Sequence, residues 1–468
     1  MEKAPTKTSQ IWDDIRDAIT GKAHDYTQGR LSRAIFLLAI PMVLEMFMQS
    51  IFAVADAYFV AQLGAAAVAT VGMSESIVLI FLAISLGLGM GTTAMIARRI
   101  GEKDVKGASV TALQAIYLGL FCSLVVLIIG SIFGADLLRL MGAPPDVQEI
   151  GSGFATHIIA GSGTITMLFL INGAFRGAGD PALALRALAL ANLLNVALDP
   201  LFIFGWGPIP EMGVTGAAIA TNIARTIGVL YQFAVLFRGR GSLNIRSIPL
   251  RIDPRAMTRL VRISAVGTFQ FMVATTSYTG LMLVMAQFPS DATAGLTIAI
   301  RVVFFFLLPA WGMSNAAATL VGQNLGAGNP DRAEAAAWTT AKYNFCFLAV
   351  VSIGILLGAP WIMTIFTEDP SIISHGATCL RWTSSVYVLI AYGMVMIQSF
   401  NGAGDTTTPT YINLISQWMI KIPLAWGLAV GLEMGPTGVF IAIPIAEVVG
   451  ASSGIYLFRK GRWKATKA

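Results

Sequence analysis

The hexapeptide Phe175-Arg-Gly-Ala-Gly-Asp180 returns 225 residues later as Phe400-Asn-Gly-Ala-Gly-Asp405. A second pair supports this repeat, because Gly213-Val-Thr-Gly216 returns as Gly435-Pro-Thr-Gly438 at a shift of 222 residues. Two motifs at nearly one offset indicate that the chain consists of two homologous halves.

The composition shows which solvent these halves face. Hydrophobic residues make up 56% of the 468 residues and charged residues only 12%, whereas soluble domains carry roughly 25% charged residues. A soluble core cannot hold this apolar excess, so most of the chain faces lipid or other membrane helices. With three cysteines, a secreted disulfide scaffold is also excluded. The sequence predicts an all-α polytopic membrane protein.

The number of membrane spans follows from the apolar runs. A helix needs about 20 apolar residues to cross the hydrocarbon. Twelve such runs occupy 34–58, 68–97, 108–133, 150–174, 182–204, 213–237, 258–287, 293–321, 334–358, 372–399, 408–430 and 436–458. A transmembrane barrel would instead show segments of about ten alternating residues. We therefore predict twelve helices in two pseudo-symmetric lobes of six, related by an axis along the membrane normal.

Basic residues define the expected domain boundaries and orientation. They cluster at both ends and in alternate loops, whereas the other loops are mainly acidic, which places both termini in the cytoplasm of a multi-pass inner-membrane protein. The predicted units are a cytoplasmic tail at 1–33, an N-lobe at 34–237, a basic cytoplasmic linker at 238–257, a C-lobe at 258–458 and a tail at 459–468.

The sequence lacks the motifs of an enzyme. The three histidines and three cysteines are scattered, so they assemble no metal site, and no phosphate-binding loop follows a strand. The net charge of +6 forms no contiguous basic stripe with aromatic residues, which argues against nucleic acid. We expect a monomer without a cofactor that draws its energy from an ion gradient.

Ionisable side chains inside membrane spans are costly and therefore mark candidate functional sites. Asp56 lies in the first span, and Asn195 and Asp199 lie four residues apart in the fifth, on one helical face. Two carboxylates and an amide form an oxygen-rich pocket that suits a proton or Na⁺. The alternative is that Asp199 lies near the outer end of its helix and faces water. The roles of Glu45, Glu75, Arg301 and Lys421 stay open.

Two further local features concern proline and glycine. Pro41 inside the first span predicts a kink fifteen residues before Asp56, through which protonation could bend the helix; static packing is the alternative. The glycines of 177–179 predict a tight turn, with Asp180 capping the helix that begins at Pro181.

Several of these stretches together resemble the multidrug and toxic compound extrusion (MATE) transporters. The stretches are 41–60, Phe175–Asp180, Asn195–Pro200, Gly213–Thr221 and 322–328. Asp56 together with Asn195 and Asp199 resembles the DinF-like branch. The resemblance implies a V-shaped central cavity and export of cationic, amphipathic compounds in exchange for H⁺ or Na⁺. It also implies that Asp56, Asn195, Asp199 and Thr221 handle the coupling cation, with a kink at Pro41.

Two other functions remain to be weighed. A lipid-linked saccharide flippase shares the superfamily architecture but needs a basic cavity, for which four intramembrane residues are available: Arg225, Arg301, Arg381 and Lys421. A gated channel is disfavoured by the two-lobe repeat and by the lack of a filter-like motif. The substrate, the choice between H⁺ and Na⁺, and the stoichiometry are not determined by the sequence.

Overall fold

The computed structural model describes residues 7–22 and 24–466, and these form helices joined by short loops. The helices of the first half are α1 (Lys7–Thr20), α2 (Leu31–Ala61), α3 (Ala65–Gly101), α4 (Val105–Leu140), α5 (Pro145–Ala178), α6 (Pro181–Ile203) and α7 (Gly213–Arg238). A short 3₁₀ turn at Ile245–Ser247 lies in the basic linker.

The second half repeats this order with one broken and one irregular helix. Its helices are α8 (Pro254–Met285), α9 (Ser290–Gly326), α10 (Pro330–Thr364), α11 (Pro370–Ser384), α12 (Tyr387–Gly402), α13 (Thr407–Asn413), α14 (Ile422–Trp426) and α15 (Pro436–Arg459). π-Helical segments at Leu414–Lys421 and Gly427–Gly431 join α13 and α14 into one continuous span. A 3₁₀ turn at Arg462–Ala465 follows α15.

The all-α membrane fold is confirmed, and eleven of the twelve predicted spans each correspond to a helix or a continuous helical segment, whereas the predicted span 372–399 corresponds to the two helices α11 and α12. Within the described chain, ten helical segments are long and apolar enough to cross a membrane. The pair α11 and α12, bent by 58°, forms an eleventh when counted as one broken span. The remaining span is α8, which has 32 residues but is less apolar because uncharged polar residues such as Gln270, Thr275 and Thr276 interrupt its apolar stretch.

The buried side chains form a core in each half of the chain. Leu168, Ile171 and Leu188 belong to the largest cluster of the first half, and Leu296 and Leu380 belong to that of the second half. Most of each cluster lies in one half, although Leu260 and Ile263 of α8 join the cluster of the first half. The exact lobe boundaries stay a prediction.

The predicted N-terminal tail contains the helix α1, which the apolar-run criterion could not detect because α1 is polar. It is fixed to the first lobe by ion pairs, since Arg33 of α2 lies 2.8 Å from Asp14 and 3.4 Å from Asp17. Arg186 of α6 donates to the carbonyls of Ile19 and Thr20, which satisfies acceptors at the helix C-terminus.

One local prediction was wrong. Asp180 precedes α6 as expected, but its carboxylate makes no capping bond to the residues described there. Instead, Asp180 Oδ2 accepts a hydrogen bond from the backbone N–H of Ser242, at 2.6 Å. The carboxylate therefore ties the linker to the lobe, because the linker amide approaches it more closely than the helix amides do. The tight turn is confirmed by Gly179, whose φ is 85°.

The two lobes meet where α2 begins, α3 ends, α8 begins and α9 ends, which we name the terminus-side interface. Glycines allow the backbones to touch there, as is common between membrane helices. A Cβ on Gly312 of α9 would lie 2.6 Å from the carbonyl oxygen of Met42 on α2. Gly91 of α3 similarly abuts Ser264 of α8. The lobes are thus closed at this end.

We expect Gly312→Leu to open the terminus-side interface, because the new side chain would overlap the α2 backbone. Overpacking of this kind costs about 1–3 kcal/mol. Spin labels at Lys106 and Asp331, both exposed and in opposite halves, should move apart. The matched control is Gly354→Leu on α10, where a Cβ would meet no described atom within 4 Å. An unchanged label distance in Gly312→Leu contradicts the role assigned to this glycine.

Candidate functional site

A central cavity of about 700 Å³ lies between the lobes. It extends from Arg176 and Gly402, beside the terminus-side interface, to Val60 and Val68 at the opposite ends of α2 and α3. Its walls are mainly apolar and include four aromatic side chains: Phe52, Phe169, Phe271 and Trp311. Cavities of this size and character accept drug-sized amphipathic molecules.

Charged side chains of both signs also line the cavity. Asp56 of α2 and Glu75 of α3 face Arg225 of α7 and Arg301 of α9. In the described structure, none of these four forms an ion pair within 4.0 Å. The Arg225 guanidinium lies 5.7 Å from the centre of the Phe52 ring, a cation–π distance. The cavity therefore offers both carboxylates and guanidinium groups to a ligand.

A buried polar cluster lies behind this cavity, inside the first lobe. Asn195 and Asp199 of α6 are 1% and 0% exposed, and Thr221 of α7 is 4% exposed. Asn195 Nδ2 lies 3.0 Å from Asp199 Oδ1 and 3.0 Å from Thr221 Oγ1. The four-residue spacing thus brings together the predicted pair, and α7 adds the threonine. We call Asn195, Asp199 and Thr221 the trio. The alternative that Asp199 faces water is wrong.

This cluster has unused acceptor atoms. Asn195 Oδ1 and Asp199 Oδ2 are buried and have no hydrogen-bond partner among the described residues. A gap of about 10 Å³ adjoins Asn195 and Thr221, close to the smallest space that holds one water molecule. Because unpaired buried oxygens are costly, a proton or a small cation would stabilise the cluster.

Asp56 lies on the cavity side of this cluster. It is near enough to Asp199 for the two carboxylates to repel each other, but it makes no hydrogen bond to the trio in the described structure. The predicted site is therefore divided into a buried trio and one carboxylate exposed to the cavity. Glu75 and Arg301, whose roles the sequence left open, lie in the same cavity.

Pro41 lies within α2 and is buried. The helix continues through it without a break from Leu31 to Ala61, although proline removes one backbone hydrogen bond. The kink and its response to protonation stay predictions.

A second buried network, which was not predicted from the sequence, surrounds Glu45. Glu45 of α2 is 0% exposed and pairs with Arg176 of α5 at 3.2 Å. Asn172 Nδ2 donates to the same Glu45 oxygen at 3.0 Å, and Gln232 Nε2 donates to Asn172 Oδ1 at 2.7 Å. Arg176 belongs to the repeated hexapeptide, and its replacement by Asn401 in the second copy was the available signal.

We expect Glu45→Gln and Arg176→Gln each to lower the free energy of unfolding by about 3 kcal/mol, because each leaves a buried charge without its partner. The double variant should lose less than the sum of the two single losses. Unfolding in mixed micelles measures all three. Additive losses would mean that the two side chains stabilise the fold independently.

Comparison with known proteins agrees with this architecture. The MatE family model matches residues 41–201 and 268–426. The chain is 26% identical to the probable multidrug resistance protein NorM of Thermotoga maritima, covering 93% of each chain. It is 27% identical to the probable multidrug resistance protein YpnP of Bacillus subtilis, covering 95% of this chain and 99% of that one. It is 25% identical to the FAD transporter of Shewanella oneidensis, covering 93% and 96%.

Solved structures give the same result. A MOP superfamily transporter from Pyrococcus furiosus Vc1, for which reverse polarity of the binding pocket suggests a different function, superimposes with a TM-score of 0.88. It is 27% identical, with 94% of this chain and 98% of that chain covered. An outward-facing multidrug resistance MATE transporter gives 0.87 at 28% identity, with 93% and 96% covered. The chain belongs to the MatE family of membrane transporters.

Proposed function

We propose that the protein is a secondary active multidrug exporter that antiports cationic or amphipathic organic compounds against H⁺ or Na⁺ by alternating access. The observation that carries this proposal is the pair of unpartnered oxygens on Asn195 and Asp199, described above, directly behind a drug-sized cavity. The transporter would act as a monomer in the inner membrane, with both termini in the cytoplasm and no cofactor.

The two binding spaces are separate but share a wall. Arg225 adjoins both the central cavity and the gap beside Asn195, and Asp56, which lines the cavity, interacts electrostatically with Asp199. A cation that loads the trio therefore changes the field in the drug cavity without touching the drug. Loading would favour one arrangement of the lobes and drug the other, and such coupling is reciprocal.

Both H⁺ and Na⁺ suit a carboxylate beside an amide, and we favour the proton. Proteoliposomes carrying an imposed pH gradient or an imposed Na⁺ gradient, each applied alone, separate the two ions. Efflux driven by the pH gradient alone supports proton coupling. Efflux that requires the Na⁺ gradient assigns the site to sodium and defeats the proton assignment.

We expect Asp199→Asn and Asp56→Asn to abolish gradient-driven export while thermal stability stays near wild type. The amide keeps the shape and hydrogen bonding of the carboxylate but cannot exchange a charge. Asp136→Asn removes an exposed carboxylate and should transport normally. Full coupled efflux in either test variant, in protein of unchanged stability, would contradict the assigned coupling role.

Drug binding to detergent-solubilised protein should tighten as the pH rises from about 5.5 to 8.5, because deprotonation removes the competing ligand. Linkage allows up to roughly tenfold tightening per pH unit for each proton displaced. Asp199→Asn should flatten the curve yet retain residual affinity, since the cavity walls remain. A wild-type curve that is flat in pH, with affinity shifted by Na⁺ alone, would reject proton competition.

A second candidate substrate class is favoured by Arg225 and Arg301, the two cavity guanidinium groups without ion pairs in the described structure. They would bind phosphate or carboxylate groups of an amphipathic anion, such as FAD or a lipid pyrophosphate, as the flippase alternative requires.

Competition between ethidium and FAD for binding distinguishes the two classes. If the exporter of cations is correct, Arg301→Gln keeps or strengthens ethidium binding and FAD competes weakly in both proteins. Strong FAD competition that Arg301→Gln weakens by tenfold or more would favour the anion carrier.

A further inference from the structure

The second lobe contains a polar cluster that corresponds to the trio of the first lobe, with Ser277 and Lys421 buried and Gln417 and Glu447 half-buried. The shift of 222 residues that relates Gly213 to Gly435 also relates Arg225 to Glu447. Counted back along the preceding helix, the same shift relates Asn195 to Gln417 and Asp199 to Lys421. The position of the carboxylate in the first lobe is thus occupied by an ammonium in the second lobe, and the position of the arginine is occupied by a glutamate.

The contacts support this correspondence independently of the alignment. Lys421 Nζ donates to Gln417 Oε1, four residues earlier on the same span, as Asn195 contacts Asp199. Gln417 Nε2 then donates to Glu447 Oε1 on the next span, α15, at 3.0 Å. Lys421 Nζ also lies 3.0 Å from Ser277 Oγ of α8. Each lobe therefore has, on its fifth membrane span, a pair of polar residues four positions apart, and one residue of each pair donates a hydrogen bond to the sixth span.

The two clusters differ in what they leave unpaired. Lys421 is 8% exposed and Ser277 is 0% exposed. Within the described residues, no side-chain atom of Ser277, Gln417, Lys421 or Glu447 is both buried and without a partner. The trio of the first lobe has two such oxygens. The amide accepts from the ammonium and donates to the carboxylate, so in the described chain the second cluster leaves no buried polar atom open to an added cation.

We infer that the ammonium of Lys421 occupies a cation site in the second lobe, formed by Gln417, Ser277 and Glu447, and keeps exchangeable cations out of it. The lysine is a covalently attached counterpart of the ion that loads Asn195 and Asp199. Because it cannot leave, the second lobe adds no coupling ion to the cycle. Both polar pair residues lie in the π-helical segment Leu414–Lys421, and π-helical turns are frequent at functional sites.

This inference predicts that a vacant cation site appears when the amine is removed. Lys421→Ala leaves Gln417 Oε1 and Ser277 Oγ without their donor, and leaves Glu447 without its positive partner. A small cation with the shape of the lost group, methylammonium, should bind there. A ligand that binds only the folded state raises the temperature of unfolding.

Thermal unfolding of the full-length chain in detergent tests this with methylammonium chloride, using tetramethylammonium chloride at equal ionic strength as the bulky reference. Asp199→Asn provides the background, because it removes the site of the first lobe. In that background, the unfolding temperature of the parent should be the same in the two salts, because the lysine occupies the site. The unfolding temperature of Lys421→Met should likewise be the same in the two salts, because methionine fills the space. Lys421→Ala should unfold at a higher temperature in methylammonium, and by more at each tenfold rise in concentration.

Adding Glu447→Gln to Lys421→Ala should abolish this stabilisation, which separates the proposed site from methylammonium bound in the central cavity. If methylammonium fails to stabilise Lys421→Ala, the inference is overturned. It is also overturned if the stabilisation persists after Glu447→Gln is added. If Lys421→Ala folds poorly, its yield should recover when cells are extracted in methylammonium, and failure to recover also overturns it. The assay measures unfolding and requires no transport, so its result can be interpreted even if the proposed export is wrong.

Discussion

A charge that is buried between membrane helices must be neutralised by a partner, a proton or a bound ion, because hydrocarbon and packed protein solvate it poorly. The structure meets this constraint in three ways. Glu45 has the guanidinium of Arg176 at 3.2 Å. Lys421 reaches Glu447 through the amide of Gln417. Asp199 has only the neutral amide of Asn195 at 3.0 Å and, among the described residues, no cationic group within 4.0 Å. Glu45 and Asp199 each keep one unpaired oxygen, but only Glu45 has an arginine, so on the proposed function Asp199 is the group that binds an exchangeable cation.

The helix α2 contributes to the interface between the lobes, to the buried ion pair and to the central cavity. It contributes Met42 to the terminus-side interface, where its backbone abuts Gly312. One turn later it contributes Glu45 to the buried ion pair, and further along it contributes Asp56 to the drug cavity. Asn192 of α6 also donates to the carbonyl of Met48, at 3.0 Å. On the proposed function, α2 is the one continuous helix along which a change of charge at the trio would reach the interface.

Much of this organisation was predictable because it follows from periodicity and repetition. The apolar runs located the spans to within about seven residues at each end, since lipid requires continuous apolar helices. The four-residue spacing of Asn195 and Asp199 predicted their contact, because such residues share a helix face. The repeat predicted two lobes, since each copy contains six spans.

What escaped prediction depends on contacts between distant segments. Asp56 faces the cavity and lies beside the trio without joining it, because the rotation of α2 is set by its neighbours. Asp180 binds the linker instead of its own helix, since the backbone of Ser242 approaches it. The ion pair of Arg176 could not be predicted, because Arg176 belongs to a glycine-rich turn motif and its partner Glu45 lies 131 residues away in the chain. The bend between α11 and α12 is accommodated by Ser352, whose hydroxyl donates to the Ser384 carbonyl at 2.7 Å.

On the proposed function, the trio of the first lobe holds the only exchangeable cation among the described buried clusters. The decisive measurement counts the protons released when substrate saturates the detergent-solubilised protein in weakly buffered solution. Wild type and Lys421→Met should release protons, and Asp199→Asn should release none. Proton release that persists undiminished in Asp199→Asn, or that disappears in a folded Lys421→Met protein, would contradict it.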